Sequence, residues 1–186
     1  NTAIFTLMDQ LMLRKLPIRN PEQLVVLYQR GSHNGSNMGR WMHSYPIYQD
    51  YQQKAEALSE VLCRRLTSAS ISVDNQTERV DAELVSGNYF TTFGIGAYAG
   101  RMILPSDDVP GAAPVAVLSY AGWQANHAGD RNVVGSTFFI QSHPVTIVGI
   151  APPGFFGDRI RPNPPAFWIP LNAEPVLEGE TSILRQ

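Results

Sequence analysis

The chain has 186 residues, of which 44% are hydrophobic and 16% charged, and its formal net charge is −2. This length suits one domain or two small lobes that share a core. The charged share lies below the globular average of about 25% and the balance is slightly acidic, so the composition argues against a nucleic-acid partner.

The first third of the chain predicts a helix, a turn, a strand and a loop. Residues 3–13 are mostly apolar and helix-compatible, with a stop at Pro17. This run is shorter than the roughly 20 residues that span a bilayer. Two interpretations stay open, the end of a transmembrane helix or an amphipathic helix packed on the domain. After a turn at 20–22, residues 24–28 predict a buried strand and residues 31–39 a polar, glycine-rich loop.

The middle of the chain predicts helices and strands in irregular alternation. Ser44 is placed to cap an amphipathic helix of about three turns, with Pro46 tolerated in its first turn. Two strands are expected around 61–66 and 69–73. Residues 79–85 alternate polar and apolar side chains, as a half-exposed strand does.

A short helix opens at residues 86–88, carries aromatic side chains on one face and stops at Gly94. Residues 100–111 then predict an irregular, acidic loop. The strand predicted at 115–118 leads directly into a helix capped by Ser119.

The last third predicts a hairpin of 138–141 with 145–150, then a proline-rich loop and a strand at 167–169. The intervening Gln141-Ser-His-Pro144 lacks the Asn-Gly pair that suits a tight turn, so a longer or differently shaped turn is expected. Glycine (15 residues) and proline (14) are plentiful throughout. This pattern favours an α+β fold, with mixed sheets and short helices, over a doubly wound parallel fold.

The search for catalytic, metal and cofactor motifs finds only residues 94–99, which fit the looser G-x-G-x-x-A form of a dinucleotide loop. A short helix rather than a strand leads into them, so they are interpreted as a helix stop and turn. The histidines lack zinc-site spacing, and His33 and His43 are interpreted as solvated loop residues. Asp107 and Asp108 lack the spacing of a calcium loop and are expected in a solvated turn. Neither a G-x-S-x-G motif nor a P-loop occurs, so the chain cannot be an ATP-hydrolysing subunit. The single cysteine, Cys63, is interpreted as a small buried hydrophobe.

Two loops carry residue types that favour protein binding. Phe155 and Phe156 lie between glycines in a proline-rich stretch, with Arg159 close behind, and Arg40 and Trp41 lie beside the glycine-rich loop. Aromatic residues and arginine are the types most often found at binding hot spots, so these five residues are the predicted partner-binding site. The alternative is that the phenylalanines plug and shield the core, and that the loop at Trp41 folds back on the domain.

Short segments in a fixed order cover nearly the whole chain. They are 1–5, 13–17, 44–46, 78–80, 83–90, Gly94, 100–101, 114–119, Trp123, 129–130, 134–135, 148–152 and 168–171. Each is weak alone, but together they resemble the periplasmic core domain of MacB/FtsX-type ABC transporter permeases, similar to the duplicated permeases of acidobacteria.

The resemblance implies a division into parts and a location. Residues 1–17 would end a transmembrane or packing helix, 18–87 would form a first, porter-like βαβ lobe, 88–171 an inserted α/β lobe, and 172–186 a linker back toward the first lobe. The domain would face the periplasm at the inner membrane. The first lobe would be incomplete, and a homodimer is one way to cover its exposed edge.

The leading hypothesis is therefore a non-catalytic domain without a cofactor. It would engage a periplasmic adaptor protein or lipoprotein-like cargo and couple to a separate cytoplasmic ATPase. Two alternatives stay open. A ligand-binding or sensory module would need a closed apolar cavity between the lobes, and a soluble hydrolase would need a polar pocket joining Ser86 to a histidine.

Overall fold

The structure is a computed structural model that describes residues 18–28, 43–73, 76–159, 164–178, 182 and 184. The helices in these ranges are α1 Tyr45–Lys54, α2 Tyr89–Phe93, α3 Tyr120–His127 and α4 Glu174–Glu178. The strands are β1 Arg64–Val73, β2 Gln76–Val85, β3 Ala99–Gly100, β4 Val115–Leu118, β5 Thr137–Ile140, β6 His143–Ile150 and β7 Phe167–Pro170. None of the described helices has the length and apolar character to cross a membrane.

Six of the strands close into a small barrel. The sheet order is β3-β6-β4-β7-β2-β1-β5, and β5 also pairs with β6, so the ladder returns to its start while β3 extends along β6. The β4–β6 and β2–β7 pairs are parallel and the remaining pairs are antiparallel. The predicted α+β fold with mixed sheets and short helices is confirmed.

One apolar core takes alternate residues from all six barrel strands. This follows from the two-residue period of a strand, which sends every second side chain to the same face. Ala82 and Leu84, predicted to face inward, are buried in this core. The strand residues in it are Ala69, Ile71, Ala82, Leu84, Ala116, Leu118, Phe138, Ile140, Val145, Ile147, Ile150, Phe167 and Ile169.

A second core lies on the opposite face of the sheet, under α2. The three aromatic residues of α2, Tyr89, Phe90 and Phe93, are fully or almost fully buried there against Trp168 and neighbouring strand residues. Gly94 ends the helix in the left-handed conformation with φ 67°, which glycine adopts without strain. The predicted helix, its aromatic face and its stop are confirmed.

Three of the predicted strands differ from the structure. Residues 24–28 lie outside any strand, with Val25 61% and Val26 54% exposed. An apolar run without a pairing partner does not make a strand, and only Leu24 reaches the second core. The strands expected at 61–66 and 69–73 are one continuous strand, β1. The predicted helix at 3–13 and loop at 31–39 lie outside the described residues.

The sheet combines strands from both sides of the lobe boundary predicted between residues 87 and 88. β2 ends at Val85, which pairs with Pro170 of β7. The division into 1–17, 18–87, 88–171 and 172–186 stays a prediction.

The turn of the β5–β6 hairpin is tighter than expected. Ile140 pairs with His143, so Gln141 and Ser142 alone form the turn. Both have positive φ angles, 48° and 71°, as the two central residues of a type I′ turn do. The expectation of a longer or differently shaped turn was wrong because the pairing of the flanking strands imposes a conformation that the turn residues do not themselves favour.

The hairpin turn is therefore a place where stability can be gained. The double substitution Gln141→Asn and Ser142→Gly should raise the free energy of unfolding by about 1 kcal/mol. Asparagine and glycine tolerate the positive φ angles of this turn better than glutamine and serine do. Urea denaturation measures the change. As a matched control, Ser142→Val should destabilise the protein. Equal stability of the three proteins would contradict the assigned turn.

Candidate functional site

The junction between β2 and α2 is held by a buried serine. The Ser86 hydroxyl accepts a hydrogen bond from the Cys63 backbone N–H at 3.0 Å and donates to Asn88 Oδ1 at 2.8 Å. Asn88 Nδ2 in turn donates to the carbonyl of Val61 at 3.1 Å. Within the part of the chain that the structure describes, neither of these partners of the Ser86 hydroxyl is a histidine. These hydrogen bonds fix the chain at the junction.

Asp108 closes the same junction from the acidic loop. Its carboxylate accepts from the backbone N–H of Gly87 at 2.8 Å and of Asn172 at 2.7 Å. Burial raises the pKa of Asp108, while the hydrogen bonds from Asn172 and Gly87 act against that rise. The expectation of a solvated turn was wrong for this residue, because its partners lie 21 and 64 positions away in the sequence.

Arg64, at the start of β1, joins two carboxylates across the outer face of the sheet. Its guanidinium donates to Glu83 Oε1 at 3.0 Å and to Asp158 Oδ2 at 2.7 Å. Glu83 is fully buried and also accepts from the Trp168 indole N–H at 3.1 Å. Burial alone would lower the pKa of Arg64, but Asp158 and Glu83 raise it. The guanidinium thus holds the loop that carries Asp158 against the sheet.

The predicted binding residues of this loop divide between core and surface. Phe155 is 5% exposed and packs on Trp168, with 5.3 Å between ring centroids. Phe156 is half-buried and Arg159 is exposed, its Nε 4.0 Å from Asp158 Oδ2. Phe155 therefore plugs the second core, while Phe156 and Arg159 are at the surface of the same loop. Arg40 and Trp41, the other predicted residues, lie outside the described residues.

Arg65 makes the corresponding contacts on the inner face of β1. It donates to Glu174 Oε1 at 2.8 Å and to Glu178 Oε2 at 3.2 Å. Glu174 is fully buried and also accepts a short hydrogen bond from the Ser182 hydroxyl. These contacts fasten α4, the last helix described, to the strand that enters the barrel. Sequence reasoning missed them because Arg65 and its partners are more than 100 residues apart.

The histidines and cavities offer no assembled ligand site in the described ranges. His43 Nε2 lies 3.2 Å from the Leu27 carbonyl oxygen, and His33 lies outside the described residues. No group of three histidine, cysteine or acidic residues could hold a metal among the residues described. A cleft of about 560 Å³ lies between α3 and the β1–β2 hairpin, lined by polar residues such as Glu78 and Asn126 as well as apolar ones. This lining differs from the apolar cavity that a sensory module would need.

Comparisons with known proteins identify a family and similar solved structures. The family model described as MacB-like periplasmic core domain matches residues 1–184. The extracellular domain of the noncanonical ABC-type transporter YknZ from Gram-positive bacteria has a TM-score of 0.60 at 12% identity, over 75% of this chain and 68% of that one. The periplasmic region of MacB from Actinobacillus actinomycetemcomitans has a TM-score of 0.60 at 20% identity, over 82% and 66%.

At these identities the two solved structures establish a shared fold. The chain spans about two thirds of the length of each. No curated protein sequence matches the chain.

The buried Arg64 network should matter far more to stability than an exposed ion pair. Arg64→Met leaves Glu83 charged and buried without its cation, which should cost about 3–5 kcal/mol. Arg101→Met removes a partly exposed pair with Asp107 and should cost less than about 1 kcal/mol. Urea denaturation compares the two. Adding Glu83→Gln to Arg64→Met should recover part of the loss, and equal losses in both single variants would refute the assignment.

Cys63 should be chemically inert in the folded chain. Burial raises the pKa of its thiol to about 11, so at pH 8 only about one molecule in 1,000 carries the reactive thiolate. At pH 8 the rate of reaction with a disulfide reagent should be at least about 100-fold lower than the rate for glutathione. The rate should still increase with pH above 9, because the thiol is not yet fully ionised there. The urea-unfolded chain is the control and should react at the rate of a free thiol. A full rate in the folded chain would contradict the burial.

Proposed function

The chain belongs to the family of MacB-like periplasmic core domains of ABC transporter permeases, and we propose on this premise that it is a non-catalytic coupling domain. It faces the periplasm in a membrane-anchored permease. It engages an adaptor protein or lipoprotein-like cargo and passes movement between that partner and a separate cytoplasmic ATPase.

The observation that carries this proposal is the pair of arginines at the start of β1. Arg65 joins the strand that enters the barrel to α4, the helix that leaves it, through Glu174 and Glu178. The two connections of the barrel therefore meet at one place. In this proposal a displacement of either connection moves the whole barrel, because closely packed cores have low compressibility and transmit strain.

The partner-binding surface in this proposal is the loop of Phe156 and Arg159. Arg64 fastens the loop to the entering strand through Asp158, and Phe155 anchors it in the second core. The loop is already held in place, so its aromatic side chain and guanidinium can contact a partner with little loss of conformational entropy. Arg40 and Trp41 are a second, separate part of the proposed partner-binding site.

Site-specific photo-crosslinking in the full-length permease in its own host tests this surface. A benzophenone amino acid at position 156 should give a defined adduct that mass spectrometry identifies as an adaptor or lipoprotein. The matched control is position 139, where Phe139 is an exposed phenylalanine of β5, 46% accessible, and should give at least about tenfold less of that adduct.

Equal adducts at positions 156 and 139 would contradict the assignment of the loop, as would undiminished capture by an Arg159→Glu variant. The stability of each variant is compared with that of the unmodified protein, so that loss of fold is not read as loss of binding.

A further inference from the structure

A polar cluster is buried beneath the loop at 154–159, on the outer face of the sheet. The Arg64 guanidinium holds one oxygen of each of its two carboxylates, Glu83 Oε1 at 3.0 Å and Asp158 Oδ2 at 2.7 Å. The second oxygen of Glu83 accepts from the Trp168 indole N–H at 3.1 Å. The second oxygen of Asp158, Oδ1, is buried and has no such partner among the described residues.

The hydroxyl of Tyr89, from α2, is the second unpaired group at this place. Tyr89 is fully buried, and its hydroxyl forms no hydrogen bond of normal geometry with a described residue. Burial, together with the charges of Glu83 and Asp158, raises the pKa of Tyr89, so the hydroxyl keeps its proton. The Asp158 backbone N–H acts against this rise, but as a donor it gives that proton nothing to bind.

A buried donor and a buried acceptor are therefore left over in one cluster. Native proteins pair almost all such groups, either with protein atoms or with ordered water. A group that stays unpaired loses the hydrogen bonds that it makes with water in the unfolded chain and gains nothing in return. The Tyr89 proton and Asp158 Oδ1 thus both require a partner.

Gly157 leaves room for that partner. A Cβ atom on Gly157 would lie 3.4 Å from the Tyr89 hydroxyl oxygen and 3.6 Å from Glu83 Oε2. Both are ordinary van der Waals distances, so these two oxygens border one open position. Asp158 is the next residue of the chain, and its carboxylate shares the Arg64 guanidinium with Glu83.

We propose that this position beside Gly157 is a binding site for one buried water molecule. The water accepts a hydrogen bond from the Tyr89 hydroxyl and donates its two hydrogens to Asp158 Oδ1 and Glu83 Oε2. Three hydrogen bonds are the usual number for a buried water. The water joins α2 to β2 and to the loop at 154–159, and it adds to the contacts by which Arg64 and Phe155 hold that loop.

The chemistry of the surrounding groups selects water over an ion. The ligand has to accept one hydrogen bond, from Tyr89, and to donate two, to the carboxylate oxygens. A metal cation accepts no hydrogen bond and would leave the Tyr89 proton unpaired. An anion without hydrogens donates none and would be repelled by Glu83 and Asp158.

The test is the effect of removing the Tyr89 hydroxyl, measured by urea denaturation of the complete chain. In the unmodified chain, Tyr89→Phe should raise the equilibrium constant for unfolding about fivefold, the size expected for the loss of one hydrogen bond. A hydroxyl without any partner gives the opposite result, because its removal would leave the constant unchanged or lower it. That result would overturn the proposal.

The same substitution in two alanine backgrounds distinguishes water from a protein partner. In Gly157→Ala the added methyl group takes the position of the water, so Tyr89→Phe should no longer raise the unfolding constant. Gly154→Ala is the matched control, because Gly154 also has a positive φ, 83° against 99°, but no described atom lies within 4 Å of the added methyl group. In this control Tyr89→Phe should again raise the constant about fivefold. An equal rise in all three backgrounds would assign the hydrogen bond to the protein itself and contradict the water site.

A high-resolution crystal structure of the unmodified chain provides a second measurement. It should show density for one water within about 3.2 Å of the Tyr89 hydroxyl, Asp158 Oδ1 and Glu83 Oε2. The same density should be present in Gly154→Ala and lost in Gly157→Ala. Ordered side chains around Gly157 with no water between them would refute the site, even if Gly157→Ala proved too unstable to study.

Discussion

The two arginines that open β1 fix the loops and helix around the barrel. Because side chains of a strand alternate between its faces, Arg64 and Arg65 point in opposite directions from adjacent positions. Arg64 holds the loop of Asp158 on the outer face, and Arg65 holds α4 on the inner face. Each arginine meets a fully buried glutamate. Removing either cation would leave a buried charge without a partner, and such charges are costly.

The cores on the two faces make this arrangement rigid. The barrel interior is filled by alternate residues of six strands, and the outer core by the aromatic residues of α2 with Phe155 and Trp168. Phe155 belongs to the loop that Arg64 fastens, so that loop is held both by packing and by charge. A partner that binds Phe156 would therefore act on the strand through which the chain enters the barrel. This connection gives the proposed coupling a physical route.

Short sequence patterns predicted the helices and strands, whereas the contacts of the candidate site are made by residues that lie far apart in the sequence. The burial of Ala82 and Leu84, the aromatic face of α2 and the Ser119 cap follow from periods of two or 3.6 residues and from capping chemistry, all readable in a short window. The contacts of Asp108 and of both arginines depend on residues far along the chain. No local signal reveals them, because the partners lie 19 to 113 positions away in the sequence. The strand predicted at 24–28 was wrong for the same reason, since pairing decides what a short apolar run becomes.

Native-state hydrogen exchange on the chain with Arg65→Met tests the central claim, that Arg65 joins the helix leaving the barrel to the strand entering it. The amides of α4 should exchange at least about tenfold faster than in the unmodified chain, while the amides of β7 keep their relative protection. The loop at 154–159, which Arg64 holds independently, should be unchanged. Unaltered exchange in α4 would show that packing alone holds this helix and would contradict the coupling through Arg65.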